Sequence, residues 1–319
     1  MVRALITGGT GFVGSHLTAL LRNKTSRLAV LASTGCGDGI ARVDCYEVDI
    51  RDAHAVRRAI HEFQPDHVYH LAAVSSVEQS WESSRLTYEA NVLGTLNVLD
   101  AAMNLASPPR ILNVSTGQVY APSPSALTEG DRLNPDNPYA ASKAMAELLR
   151  VPYRKHPMGG IITARSFNHA GPGQSPGFVF SSIAKQFAEI ELGLREAKIS
   201  VGNTHVRRDF TDVRDVVRAY NLLLEKGAVD TVYNVCSGRS RSIREIIEGF
   251  ESVSGIKVAI DTDLEKVRSG ENNEVCGSPA KLRAATGWEP QIPLETTMRD
   301  LLSYWRSSAR EPKSIQTVS

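Results

Sequence analysis

The sequence predicts a doubly wound α/β sheet of parallel strands, with a smaller α/β lobe interleaved with it. Three observations predict this. Through the first half of the chain, short runs rich in β-branched residues alternate with segments of helical periodicity. A glycine-spaced turn, Thr7 to Gly14 reading TGGTGFVG, joins the first apolar run to the first amphipathic segment. After Asn168 the alternation loosens into a breaker-rich stretch that holds Gly171, Pro172, Gly173, Pro176 and Gly177.

The elements follow in order. Val2 to Ile6 reads as the first strand, and Leu28 to Leu31, Val43 to Val48, His67 to Leu71, Ile111 to Val114 and Ile161 to Ala164 as the next ones. Between them Val13, Leu17, Leu20 and Leu21 share one helical face, as do Val56, Ile60 and Phe63. Repeated βα units imply a parallel sheet with helices on both faces. A helical segment with Ile183, Ala184, Phe187 and Ile190, and helices around Ile243 to Phe250 and Leu294 to Trp305, read as the smaller lobe. Val213 to Leu224 and Val232 to Val235 read as a return to the sheet. The expected division is 1–168 and 207–236 for the sheet domain, 169–206 and 237–306 for the smaller lobe, and a polar tail over 307–319. Ligands of such sheets bind beyond the carboxyl ends of the strands. Each motif below follows an apolar run and so belongs to that edge.

Bulk properties narrow the function. In 319 residues, 36 Lys and Arg balance 35 Asp and Glu, which leaves no strong field to hold nucleic acid or an anionic membrane. The chain enters a strand at once, without a signal-peptide pattern or an apolar run of spanning length, so a cytoplasmic location is expected. The four cysteines (Cys36, Cys45, Cys236 and Cys276) form no C-x-x-C and are expected as free thiols. The eight histidines show no metal-ligand spacing, so no metal is expected.

Gly8, Gly11 and Gly14 are spaced G-x-x-G-x-x-G between a strand and a helix. The first permits turn angles that a Cβ would forbid, the second lets main chain approach a pyrophosphate, and the third lets helix and strand pack closely. The helix start then offers unpaired N–H groups to a diphosphate, which points to a Rossmann dinucleotide site. Tyr139 and Lys143 are four apart in PYAASKAMAELL, a helical sequence with Asn137 as N-cap and Pro138 in the first turn. They share a helical face, and an ammonium beside a phenol is expected to lower the phenol pKa from about 10. Such a phenol can pass a proton to or from a sugar oxygen. Ser115 and Thr116, at the end of the Ile111 to Val114 strand, bring hydroxyls to the same edge.

The ordered set TGGTGFVG, Leu71–Ala72–Ala73, Asn91 in ANVLGTLNVL, VSTGQVY and Y-x-x-x-K resembles the extended short-chain dehydrogenase/reductases, enzymes of nucleotide-diphosphate sugars, over essentially the whole chain. The resemblance implies Thr116, Tyr139 and Lys143 as the catalytic groups. It implies that Gly8, Thr10, Gly11, Phe12, Val13, Gly14, Ser33, Thr34, Leu71, Ala72, Ala73, Asn91 and Ser115 hold the cofactor together with Tyr139 and Lys143, with Asp49 and Ile50 at the adenine. It implies a sugar-nucleotide site of Ser75, Thr116, Gly117, Gln118, Asn168, Phe178, Val179, Lys185, Val201, Arg208, Arg268 and Glu271. Guanidinium forks such as those of Arg208 and Arg268 suit phosphate oxygens. The chain departs from the family pattern at Val74 and at Ala121. A homodimer is implied, paired through helices around Asn91 to Met103 and Tyr139 to Arg154.

The reaction is narrowed by two positions. Dehydratases of the family carry Asp-Glu directly after the Thr, and this chain has Gly117 and Gln118, which cannot act as that acid/base pair. The stretches SFNHAGPGQSPGFV, AKQFAEIELG, VRRDFTDVRD, YNVCSG and TGWEPQIPLE resemble the branch that reduces GDP-4-keto-6-deoxy-D-mannose to GDP-D-rhamnose. A nucleotide-sugar 4-epimerase is the alternative, and a non-catalytic dinucleotide sensor a further one. The second strand ends Leu31 to Gly35 with no acid to repel a 2′-phosphate, and the hydroxyls of Ser33 and Thr34 could bond it. The reading is NADPH, with NADH tolerated.

Overall fold

A computed structural model describes residues 2–35, 42–154, 159–266 and 272–310. The first half runs β1 (Arg3–Thr7), α1 (Phe12–Leu21), β2 (Arg27–Ala32), β3 (Asp44–Glu47), α2 (Ala53–Phe63), β4 (His67–His70), α3 (Val77–Glu82), α4 (Ser84–Tyr88), a π-helical turn (Glu89–Leu93), α5 (Gly94–Met103), β5 (Arg110–Thr116), α6 (Pro138–Leu148) and β6 (Gly160–Ser166). The second half runs β7 (Asn168–Ala170), α7 (Val179–Glu191), β8 (Lys198–Val201), β9 (Arg207–Asp212), α8 (Val213–Lys226), β10 (Val232–Val235), β11 (Ser240–Ser242), α9 (Ile243–Ser254), β12 (Ala259–Thr262), β13 (Glu274–Val275), α10 (Ala280–Thr286) and α11 (Leu294–Arg310).

Seven strands form one parallel sheet in the order β10-β6-β5-β4-β1-β2-β3. The chain winds outward from β1 to β3, then returns to the far side of β1 through β4, β5 and β6. The reversal between β1 and β4 is the switch point beside which such sheets bind ligands. Ala4, Leu5 and Ile6 are all fully buried, because helices cover both faces. Ala4 and Ile6 pack with α1 and α8, while Leu5 packs with α2 and α5. A separate core of Phe180, Phe187, Phe250, Leu301 and Leu302 joins α7, α9 and α11. There β9 pairs with β7, β11 and β13, and β8 pairs with β12.

Several boundaries differ from the sequence reading. The helix expected over Tyr139 to Arg154 stops at Leu148, and Val151–Tyr153 forms a separate 3₁₀ turn. Pro152 explains the break, since it lacks an N–H and clashes with the preceding turn. The segment from Asn91 opens inside a π turn. The last helix continues to Arg310, past the expected tail boundary, with Arg306 held to Glu191 at 2.5 Å. Cys236 and Cys276 are free, but Cys45 is disulfide-bonded, contrary to expectation. Spacing along the sequence does not limit which thiols meet once the chain folds back on itself. Among the described residues no helix is long and apolar enough to cross a membrane.

Candidate active site

The glycine turn is tight because its neighbours are main chain. Gly8 has φ +70°, and a Cβ there would lie 2.9 Å from Ala72 Cα. A Cβ on Gly14 would lie 2.1 Å from the Gly8 carbonyl oxygen. Gly11 is the N-cap of α1 and brings no side-chain acceptor, so the first-turn amides of Phe12 and Val13 meet no capping oxygen. An anion suits such a terminus. Thr10 is exposed beside it, and Phe12 stacks on His169 with ring centroids 6.0 Å apart. The glycine cradle and the uncapped helix end together fit a dinucleotide diphosphate.

The neighbouring loops are fixed by buried polar bonds. Thr7 Oγ1 meets His70 Nδ1 at 2.8 Å and accepts from Ala72 N at 3.1 Å, between Leu71 and Ala73. His70 Nε2 meets Thr95 Oγ1 at 2.9 Å. Burial, with Lys143 nearby, drives the His70 pKa to about 3, so it is neutral. Asn91 accepts from Val74 N at 2.8 Å and donates to Val74 O at 3.0 Å and to Ser142 Oγ at 2.9 Å. Ser142 in turn donates to the Tyr139 carbonyl at 2.7 Å. Asn91 therefore ties the loop after β4 to α6. Ser33 and Thr34 are exposed after β2. Asp49 is paired with Arg51 at 2.5 Å, which holds its carboxyl below the usual range. Ile50 is buried against Gly94, where a Cβ would lie 2.6 Å from Ile50 Cδ1.

The structure brings Thr116, Tyr139 and Lys143 together. Asn137 Oδ1 accepts from Ala140 N at 2.9 Å and Pro138 occupies the first turn, as the sequence predicted for α6. Tyr139 is buried, with the Thr116 side chain close to its hydroxyl. Lys143 Nζ donates to the Val114 carbonyl at 2.9 Å. One expectation is corrected here. Burial raises the Tyr139 pKa, with the nearby Thr116 side chain only partly opposing it, so the net shift is upward and not the lowering expected from the lysine. The desolvation of a buried phenol outweighs its polar partners, and the ammonium is turned to a backbone carbonyl. Burial likewise lowers Lys143, to about 8, against the charge of Glu147.

The remaining predicted residues are spread around this centre. Ser115 Oγ donates to Glu147 Oε1 at 2.5 Å, so its hydroxyl is already spent inside the protein. A Cβ on Gly117 would stand 3.1 Å from the Phe167 ring, and the Gln118 amide bonds Thr116 Oγ1 at 3.2 Å. Ser75 and Asn168 are exposed, and Asn168 pairs with Phe210 in the β7–β9 ladder. Phe178 is the N-cap of α7 and Val179 its first residue. Lys185 Nζ lies 3.7 Å from Glu189 and 5.7 Å over the Trp305 ring, on the side where α7 meets α11. Val201 is buried in the core of α7 and α9. Arg208 Nη1 donates to the carbonyls of Arg207 at 2.8 Å and Asn272 at 2.9 Å. Arg268 and Glu271 lie outside the described residues.

Sequence reasoning missed several residues. Ser80 Oγ accepts from Tyr139 N at 3.2 Å. Asp209 is fully buried and accepts from Ser237 N, Gly238 N and Gly277 N at 2.8, 2.9 and 3.2 Å. Glu147 pairs with Arg165 at 2.7 Å. The only signal for Glu147 was its place four residues after Lys143, on the same helical face.

A parallel sheet with a glycine cradle at its switch point and a Tyr-x-x-x-Lys helix beside a strand-end Thr defines an extended short-chain dehydrogenase/reductase. The chain belongs to the family described as GDP-mannose 4,6 dehydratase, whose profile matches residues 5–301. It is 36% identical to GDP-6-deoxy-D-mannose reductase of Pseudomonas aeruginosa, over 97% of this chain and 99% of that protein. The solved structure of RMD from Pseudomonas aeruginosa complexed with NADPH superimposes with a TM-score of 0.84 at 34% identity, covering 97% of this chain and 100% of that one. The Thermus thermophilus UDP-glucose 4-epimerase, solved in complex with NAD, gives 0.84 at 31% identity, over 96% of this chain and 99% of the other.

Proposed function

We propose that the protein reduces the C4 ketone of GDP-4-keto-6-deoxy-D-mannose to GDP-D-rhamnose. The observation that carries this reading is the Thr116–Tyr139–Lys143 constellation with no carboxylate at the next two positions, where Phe167 crowds Gly117. That argues against 4,6-dehydration, for which an acid/base pair is needed there. Similarity over the full length to the Pseudomonas reductase supports reduction.

In this reading the hydride comes from bound NADPH, with NADH as a substitute. Tyr139 donates its phenolic proton to the oxygen that becomes the C4 hydroxyl. Its raised pKa keeps that proton in place until the oxygen gains charge. Lys143 then stabilises the phenolate, and Thr116, close to the phenol, orients the ketone. Gly8, Thr10, Gly11, Phe12, Val13 and Gly14 would hold the diphosphate, Ser33 and Thr34 the 2′ end, and Asp49 and Ile50 the adenine. Residues 1–168 and 207–236 would carry the dinucleotide, and 169–206 and 237–306, with Arg208, the sugar nucleotide.

A homodimer in the cytoplasm completes the proposal. Leu93, Met145 and Leu148 support the pairing, since they expose 53%, 47% and 67% of their surface along α6 and the turn before α5.

The NAD-dependent 4-epimerase remains the second reading, supported by the likeness to the Thermus enzyme. Stoichiometry separates the two. A reductase consumes one NADPH per product, followed as loss of nicotinamide absorbance with the 4-keto sugar. Interconversion of UDP-sugars with no net nicotinamide change would replace the reductase reading with the epimerase one.

A further inference from the structure

We infer that the buried chain Ser115–Glu147–Arg165 is a positioning device for the reacting groups, clamping the end of β5 to α6 and setting a fixed negative charge beside Lys143. The inference rests on the ketone-reducing reading and deepens it. Three consecutive residues of β5 each reach α6. The Val114 carbonyl accepts a hydrogen bond from Lys143 Nζ at 2.9 Å, and the Thr116 side chain lies near the Tyr139 hydroxyl. Ser115, between them, donates to Glu147 at 2.5 Å. Glu147 is four residues beyond Lys143 and eight beyond Tyr139, so all three lie along one helical face.

The other side of the carboxylate is held by Arg165. Its Nε and Nη2 meet Glu147 Oε1 and Oε2 at 2.9 and 2.7 Å, a two-point grip. Arg165 is the direct ladder partner of Ser115, so neighbouring strands present both donors to one carboxylate. Arg165 also stacks on the Tyr120 ring at 4.8 Å, which fixes its plane. The ion-pair side chains are 6% and 5% exposed. A buried pair is a poor source of stability compared with apolar packing, so its place beside the reacting lysine calls for another account.

That account is electrostatic. Lys143 faces Tyr139 and Glu147 on its own helix, neutral His70 on β4, and Arg165 on β6 behind Glu147; Tyr220 on α8 lies near Tyr139. Among these only Glu147 brings a negative charge that offsets the burial of the ammonium. Turnover needs Lys143 charged, so activity falls as pH rises through its folded pKa. Glu147→Gln keeps the shape but removes the negative charge and leaves Arg165 uncompensated. Both changes move Lys143 down.

The test is the pH profile of kcat for wild type, Glu147→Gln and Ser115→Ala, with the 4-keto sugar and NADPH. In Glu147→Gln the alkaline midpoint should fall by about one pH unit, the size expected on losing a nearby opposite charge. In Ser115→Ala kcat should fall at least about threefold, with KM and midpoint unchanged, because the clamp is lost but the charge stays. A Glu147→Gln midpoint equal to wild type overturns the inference. Should that variant not fold, wild-type kcat in Ser115→Ala overturns it instead. A wild type that consumes no NADPH refutes the reductase reading alone, and the same profiles are then measured on the sugar interconversion it catalyses.

Discussion

Gly14→Ala probes the cofactor cradle at the point where the geometry leaves least room. The added Cβ would sit 2.1 Å from the Gly8 carbonyl oxygen and 2.7 Å from Gly9 Cα. Ordinary van der Waals contact begins near 3.4 Å, so α1 must retreat from the turn by more than 1 Å. Both obstructing atoms are main chain, and no rotamer change relieves them. Overpacking of this kind costs about 3 kcal/mol at the upper end of its usual range. For a chain of this size, unfolding with an entropy of about 2.1 cal/mol/K per residue, that corresponds to a fall in Tm of about 4–5 °C. The same retreat takes the first-turn amides off a bound diphosphate, and losing about 1.4 kcal/mol there raises the NADPH Kd tenfold. Thermal unfolding and a fluorescence titration with NADPH measure the two effects. Wild-type Tm together with wild-type Kd would refute the close-approach argument.

Two other substitutions test separate parts of the site. Gly117→Asp should not create dehydratase activity on GDP-mannose. It should instead lower stability by about 1–3 kcal/mol in chemical denaturation, because Phe167 must give way. Asp209→Asn turns one of two accepting oxygens into a donor facing the backbone N–H groups of Ser237, Gly238 and Gly277. The cost should be about 1–3 kcal/mol, read from the same denaturation curves.

The parts of the molecule legible in the sequence are those written in local pattern. The Val2 to Ile6 run, the glycine spacing and the helix signature around Asn137 to Lys143 each rest on neighbours within a few residues, and each element forms where expected. The polar network was hidden because its bonds join distant residues. Ser115 reaches Glu147 across 32 positions, and Asn91 reaches Ser142 across 51. No local pattern encodes such pairs. The direction of the Tyr139 shift was misread for a related reason. The lysine four residues away is visible in the sequence, while the burial that outweighs it is a property of the assembled fold. The extent of α6 to Arg154 came from the family resemblance, and Pro152 is the residue in this sequence that marks where the helix breaks.

The central claim is that the buried phenol of residue 139 is the proton donor at a dinucleotide site. Rates of NADPH oxidation by wild type and Tyr139→Phe, with GDP-4-keto-6-deoxy-D-mannose at pH 7, test it most directly. The account predicts that the variant binds NADPH as tightly as wild type yet turns over at least about a hundredfold more slowly, the usual contribution of a positioned acid. Wild-type turnover in Tyr139→Phe would contradict it.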